Sequence, residues 1–350
     1  MLKLIVLAAL ISIALSVPLT KGIQKLKVHR TPFALRKEHK HPYQHNENDF
    51  YGLATSANVG STRQNVQITI DTLVSDLELY LCPSANTVPA PGKFCYNSYK
   101  SSTFQRVNER LASDTMTNFF NYVIPNVTFA TSVKEDMFNG NLGLGLPDAS
   151  KFPGETLMPN VWIYSDNPYT HYRHVFAINI VANGMGDLQF GDNAMCGENP
   201  TTVYTPVTSN EYWQLDFDAA HLGKAKWNSK GQAVIDTKSE YIGMPKKFLD
   251  QYTNLHNITW DGLYQAYTIS CDKAAFLPDL NFIIGDRTLT IRIEQYIYFD
   301  DPLPNGNCVV NFEDSKVYGF GPEWYFGIQI MKDYCVSFDY TQKRMGFTRT

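Results

Sequence analysis

The sequence predicts an all-β protein built as two β-barrel-like lobes with a cleft between them and a few short helices. Three observations carry that expectation. One short phrase is written twice: Ile68-Thr69-Ile70-Asp71-Thr72 and Val234-Ile235-Asp236-Thr237 are both β-type apolar runs ending in Asp-Thr. Each copy is followed far downstream by a second apolar run ending in glycine, Asn141-Leu142-Gly143-Leu144-Gly145 after the first and Trp324-Tyr325-Phe326-Gly327 after the second. Between these landmarks lie short β-rich runs punctuated by turn residues. Two strands that each deliver a carboxylate, from two similar halves, place a site at the seam between lobes.

The elements follow in chain order. Lys3 precedes an apolar stretch from Leu4 to Leu15, and Ala14-Leu15-Ser16 supplies small residues for cleavage, so residues 1–16 read as a signal peptide. A membrane anchor needs roughly 18 or more apolar residues, and no later stretch reaches that length. Residues 17–45 hold Lys21, Lys25, Lys27, Arg30, Arg36, Lys37 and Lys40 against the single acid Glu38. The whole chain carries a formal charge of −4, so a basic leader precedes an acidic body. The alternative for this leader is a solvated basic tail.

Leu53-Ala54-Thr55, a turn at Asn58-Val59-Gly60-Ser61, and the run from Asn65 to Asp71 read as a hairpin that leads into the first Asp-Thr. Leu77 to Leu81 and Val127 to Thr131 read as strands, and Val175 to Ile180 with Gly186 to Gly191 as an antiparallel pair. The change of lobe falls near Met185 to Tyr204, which divides the body into 46–190 and 191–350. After Asp236, Pro245-Lys246-Lys247 opens a helix with Phe248, Leu249, Tyr252 and Leu255 as its core stripe. Leu277 to Ile284 and a final pair, Tyr334 to Asp339 with Arg344 to Phe347, complete a mainly β second lobe.

Six cysteines in a chain with a leader of this kind imply bridges, and spacing alone leaves fifteen pairings open. No CxxC or HExxH spacing supports zinc. The mild net charge gives no reason to expect a nucleic-acid partner. Asn126-Val127-Thr128 and Asn257-Ile258-Thr259 are glycosylation sequons.

The twin Asp-Thr strands, the two downstream glycines, the Tyr212-Trp213-Gln214 segment and the final cysteine-bearing strand pair together resemble the pepsin-like aspartic peptidases, over about residues 46–350. The resemblance implies a bilobal pepsin-like acid protease fold and a prosegment in the basic leader. It implies bridges Cys82–Cys95 and Cys271–Cys308, with Cys196 and Cys335 left to pair as in the nematode branch. It also implies that Asp71 and Asp236 are the catalytic dyad. In such a dyad, itself the type example of the effect, two carboxyls about 3 Å apart share one proton. The ionised member activates a water and the protonated one donates to the peptide carbonyl. No metal or organic cofactor is required.

The chain departs from that family at the site. The glycine expected after each Asp-Thr is Leu73 in the first copy and Lys238 in the second. Glycine there lets the turn approach the carboxylates closely. Leu73 adds bulk, and Lys238 adds an ammonium that favours ionisation of both acids unless it turns out to solvent. Val74 stands in place of a hydroxyl that supports the first aspartate, Ser239 keeps one in the second lobe, and Ile328 replaces the usual Asp after Gly327. After Ser101-Ser102-Thr103-Phe104, the stretch Gln105 to Thr115 has neither glycine nor tyrosine, so the hairpin that covers the cleft in this family is expected to be largely deleted.

The resulting expectation is a secreted or lysosomal (vesicular) monomer, free of the membrane once its signal is removed. It binds a peptide or protein in the inter-lobe cleft and is catalytically impaired. The rival expectation is an active acid endopeptidase working through Asp71 and Asp236. A structural or storage glycoprotein stands third. With the covering hairpin gone, restoring glycine at 73 and 238 is not expected to restore activity.

Overall fold

The computed structural model describes residues 23–29, 52–119, 122–152, 174–181, 185–191, 196–197, 201–318 and 321–350. The expected signal peptide, most of the basic leader and the start of the body lie outside them. The fold is the expected all-β, bilobal, pepsin-like one. Among the described residues the strands form sheets of thirteen, five, four and three strands, with short helices between them.

Asp71 ends a strand of one sheet, and Asp236 directly follows a strand of another. Gly52–Val59 and Gln64–Asp71 form the expected hairpin within the thirteen-stranded sheet. Gly231–Ile235 lies in the five-stranded sheet, antiparallel to Gln214–Phe217. The final pair, Tyr334–Asp339 and Arg344–Arg349, joins the thirteen-stranded sheet through Val175–Val181, so the C-terminus closes on strands of the first half. Ile23–His29, within the basic leader, forms a strand between Met185–Phe190 and Gly52–Val59.

Aromatic side chains dominate the core that supports these strands. Trp324 is fully buried against Phe217, Phe248 and Phe282, with ring centroids 5.7, 5.1 and 5.2 Å away. Trp213 packs against Phe176, Phe338 and Tyr340. Burial of such rings contributes about 1.5–3 kcal/mol each, with edge-to-face contacts adding to it. The second cluster also anchors the segment after Gly143: Trp213 Nε1 and the Tyr340 hydroxyl both donate to the Leu144 carbonyl, at 2.7 and 2.9 Å. Packing in the core thereby fixes the backbone beside the first aspartate.

The bridges are Cys82–Cys95, Cys271–Cys308 and Cys196–Cys335, the pairing that the resemblance implied. The helix spans Lys246–His256 behind Pro245 and ends on Asn257, whose left-handed φ of 54° closes it. Phe248, Leu249 and Tyr252 are buried as expected, but Leu255 is 47 % exposed, because it stands in the last turn beyond the sheet that the stripe covers.

A hairpin stands in the stretch where the covering hairpin was expected to be largely deleted. Leu111–Phe119 and Tyr122–Val133 pair antiparallel from Leu111 opposite Ala130 to Phe119 opposite Tyr122, with two register shifts on the way. Its first strand also pairs with Gly52–Val59 and with the short strand Gln105–Arg106. The buried carboxylate of Asp114 ties it down by accepting from the Tyr96, Ser101 and Thr103 hydroxyls. The expectation failed because it looked for glycine. Thr, Val, Phe and Tyr carry a hairpin by cross-strand pairing, and irregular register takes up what glycine would have relieved.

Candidate functional site

Both halves build the same backbone device around their aspartate. Gln64–Asp71 runs parallel to Gly140–Gly143, with Asp71 opposite Gly143. Gly231–Ile235 runs parallel to Trp324–Phe326, and the Asp236 amide donates to the Phe326 carbonyl at 2.9 Å. The loop after each aspartate folds back onto the downstream glycine. Gly143 N–H donates to Asp76 O, and Gly327 N–H donates to Tyr241 O, both at 3.0 Å. A Cβ on Gly143 would stand 2.5 Å from the Asp76 nitrogen, and one on Gly327 would stand 2.5 Å from the Tyr241 oxygen. Those obstacles are backbone, so the two glycines are required for close approach rather than for an unusual φ.

The two devices interlock. Thr72 N–H donates to Thr237 Oγ1 at 3.1 Å, and Thr237 N–H donates to Thr72 Oγ1 at 3.2 Å. Each hydroxyl then donates across the seam, Thr72 to the Ile235 carbonyl at 2.7 Å and Thr237 to the Ile70 carbonyl at 2.8 Å. Both threonines are fully buried. Four crossed hydrogen bonds in a dry environment hold the loops in one register, and the threonines' neighbours, Asp71 and Asp236, come within electrostatic reach of each other.

Lys238 touches both carboxylates. Its backbone N–H donates to Asp236 Oδ1 at 2.8 Å, and its ammonium lies 3.5 Å from Asp71 Oδ2. The ammonium therefore pairs with Asp71 rather than pointing away from the acids, while the side chain stays 39 % exposed. Leu73, half-buried, still offers its N–H to Asp71 Oδ1 at 2.9 Å. Replacing glycine thus kept the amide contacts and added a cation from the second lobe to the acid of the first. Ser239 Oγ accepts from Tyr241 N–H at 3.0 Å.

Burial, then the negative charge of Asp71, push the Asp236 carboxyl up to about 7; the Lys238 amide and ammonium only partly oppose them. The expectation that the ammonium would leave both acids ionised fails for Asp236, because desolvation outweighs it. Tyr325, fully buried on the strand beside Asp236, is pushed up to about 12 by burial and that same acid.

One contact was not foreseen. Asn141, the first residue of the downstream phrase, is buried and donates from Nδ2 to Asp71 Oδ2 at 3.4 Å. Its signal was in the sequence: a single amide in an apolar run that faces the first aspartate. No group of three or more metal-ligating side chains occurs among the described residues. No described helix is long and apolar enough to cross a membrane.

Residues 52–350 match the family model described as eukaryotic aspartyl protease. Over 145 residues, 41 % of this chain and 37 % of the relative, the sequence is 31 % identical to "Aspartic protease 17" of Caenorhabditis elegans. It is 28 % identical to "Aspartic protease 1" of the same organism over 45 % of this chain and 39 % of the relative. These two alignments span well under half of each relative's length. Against the gastricsin of Mus musculus the identity is 25 % over 336 residues, covering 87 % of this chain and 82 % of that protein.

Proposed function

We propose, from the premise that this chain belongs to the eukaryotic aspartyl protease family, that it is a secreted peptide-binding member whose hydrolytic step is impaired. One observation carries the reading: the Lys238 ammonium lies 3.5 Å from Asp71 Oδ2. A carboxylate paired with a neighbouring cation is a poorer base towards water, because proton abstraction would break a favourable pair. Asp71 and Asp236 remain the site residues, now as hydrogen-bonding groups at the floor of a peptide cleft. Secretion is supported by the three bridges and by the apolar N-terminal stretch.

A second reading is favoured by a different observation. Asp236 is pushed up to about 7, so it holds a proton throughout acid conditions, as the donor of an acid peptidase must. The test is to incubate the full chain with peptides of denatured globin across acid to neutral pH, capture the complex and weigh what is bound. Intact peptides support the impaired reading. Fragments whose formation stops in Asp71→Asn establish the active enzyme.

A further inference from the structure

Asn141 stands where its amide can have only one orientation. It lies in register with Thr69 on the neighbouring parallel strand, and both are buried. The Thr69 hydroxyl donates to Asn141 Oδ1 at 2.6 Å. Nδ2 then faces Asp71 Oδ2 at 3.4 Å. Turning the amide over would set its carbonyl oxygen against a carboxylate oxygen, two acceptors with no hydrogen between them. Asp71 thereby accepts from the Leu73 amide on one oxygen and the Asn141 amide on the other, with the Lys238 ammonium 3.5 Å from Oδ2. A donor on each oxygen and a cation beside one of them suit a carboxylate, not a carboxylic acid.

We propose that Asn141, oriented by Thr69, is a positioning residue that commits Asp71 to the anionic role and leaves the site's exchangeable proton to Asp236. The proposal rests on the reading of these two acids as the family's dyad and deepens it. In a symmetrical pair the proton is shared, and either acid can serve as base. Here the roles are fixed by a neighbour that touches only one partner. Under acid conditions such a site presents a hydrogen-bond donor, the Asp236 hydroxyl, to a ligand carbonyl or hydroxyl, while its anion stays occupied. That polarity suits retention of a peptide better than turnover.

The charged and titratable groups around the pair are few. Lys238 faces Asp71, and Tyr325 faces Asp236 with its phenol held neutral. Tyr80, on the strand Leu77–Leu81, feels the Lys238 charge, and burial raises its phenol. None of these treats the two acids alike; Asn141 has no titratable group, so its removal tests orientation without changing net charge.

The experiment is carbon-13 NMR of the full chain labelled at aspartate carboxyls, titrated from about pH 4 to about pH 9. Asp71→Asn and Asp236→Asn assign the two signals. In the wild type the Asp236 signal is expected to carry nearly all of the protonation shift. In Asn141→Leu the shift divides between both signals. Thr69→Val, isosteric and neutral, frees the amide to turn and moves the partition the same way; it is the variant to read if Asn141→Leu does not fold. A wild type that already divides the shift overturns the proposal, as do folded variants that leave the partition unchanged. Cleavage of peptide by the wild type would refute impaired catalysis and leave this result untouched, so the two readings fail separately.

Discussion

The ammonium of Lys238, carried on the second Asp-Thr loop, stands 3.5 Å from the carboxylate of Asp71 on the first. Its own backbone amide meanwhile holds Asp236. A single residue thus spans the pair, at the position where a bare backbone would leave the acids free to face water.

That geometry makes Lys238 an opponent of proton binding at Asp236. Lys238→Met keeps the amide and most of the stem but removes the charge. The Asp236 carboxyl is expected to titrate higher in this variant than in the wild type, since the lost ammonium was lowering it. Carboxyl NMR reads the change directly; an unmoved or lowered midpoint would show that the ammonium does not act on this acid in solution.

Asp236 also ties stability to pH. An unfolded aspartate titrates at about 3.9, whereas the buried one is pushed up to about 7. Between those values the native state binds the extra proton, so its contribution is complete below about pH 4 and is lost as pH rises through 7. The total is on the order of 2–4 kcal/mol. Urea midpoints measured from pH 4 upward should fall towards pH 7 in the wild type by more than they do in Asp236→Asn. Parallel curves for the two proteins would contradict this.

The crossed threonines set the seam. Thr72→Val removes the donor to the Ile235 carbonyl and the acceptor for Thr237 N–H, both buried. Leaving two buried groups unpaired costs about 2–4 kcal/mol. Chemical denaturation should show that loss, and Asp236 should lose part of its raised midpoint as the loops separate. A neutral substitution would mean that the hydrogen bonds do not hold the halves together.

Gly327→Ala is expected to be worse than its size suggests. The added carbon meets the Tyr241 and Ser239 carbonyl oxygens, which are backbone and cannot swing aside. A cost of about 3 kcal/mol or more follows, since loop and strand must part. The same substitution at Gly262, where an added carbon meets nothing within 4 Å, is the control and should be close to silent.

Much of this architecture was legible because it is written in residues with one physical meaning. The paired Asp-Thr phrases, the downstream glycines and the cysteines each constrain backbone or covalent geometry, so pattern alone located them. The hairpin spanning 111–133 was missed because its strands pair without the glycine that usually announces one; cross-strand pairing has no local signature of that kind. Asn141 was read as part of an apolar run, since its value lies in a contact across parallel strands with Asp71. Lys238 was flagged by type, but only three dimensions show which way a four-carbon stem points. The protonation of Asp236 depended on burial outweighing a nearby cation, a balance that a sequence does not display.

With the hairpin present, Lys238 and Leu73 become the main obstacles to catalysis, which reverses the expectation that restoring glycine would achieve nothing. The decisive measurement is the initial rate of cleavage of a quenched fluorescent peptide at acid pH by the wild type and by the Leu73→Gly, Lys238→Gly double variant. The account predicts no pepstatin-sensitive cleavage by the wild type, and cleavage by the double variant that disappears when Asp71→Asn is added. Pepstatin-sensitive cleavage by the wild type, abolished by Asp71→Asn, would contradict it.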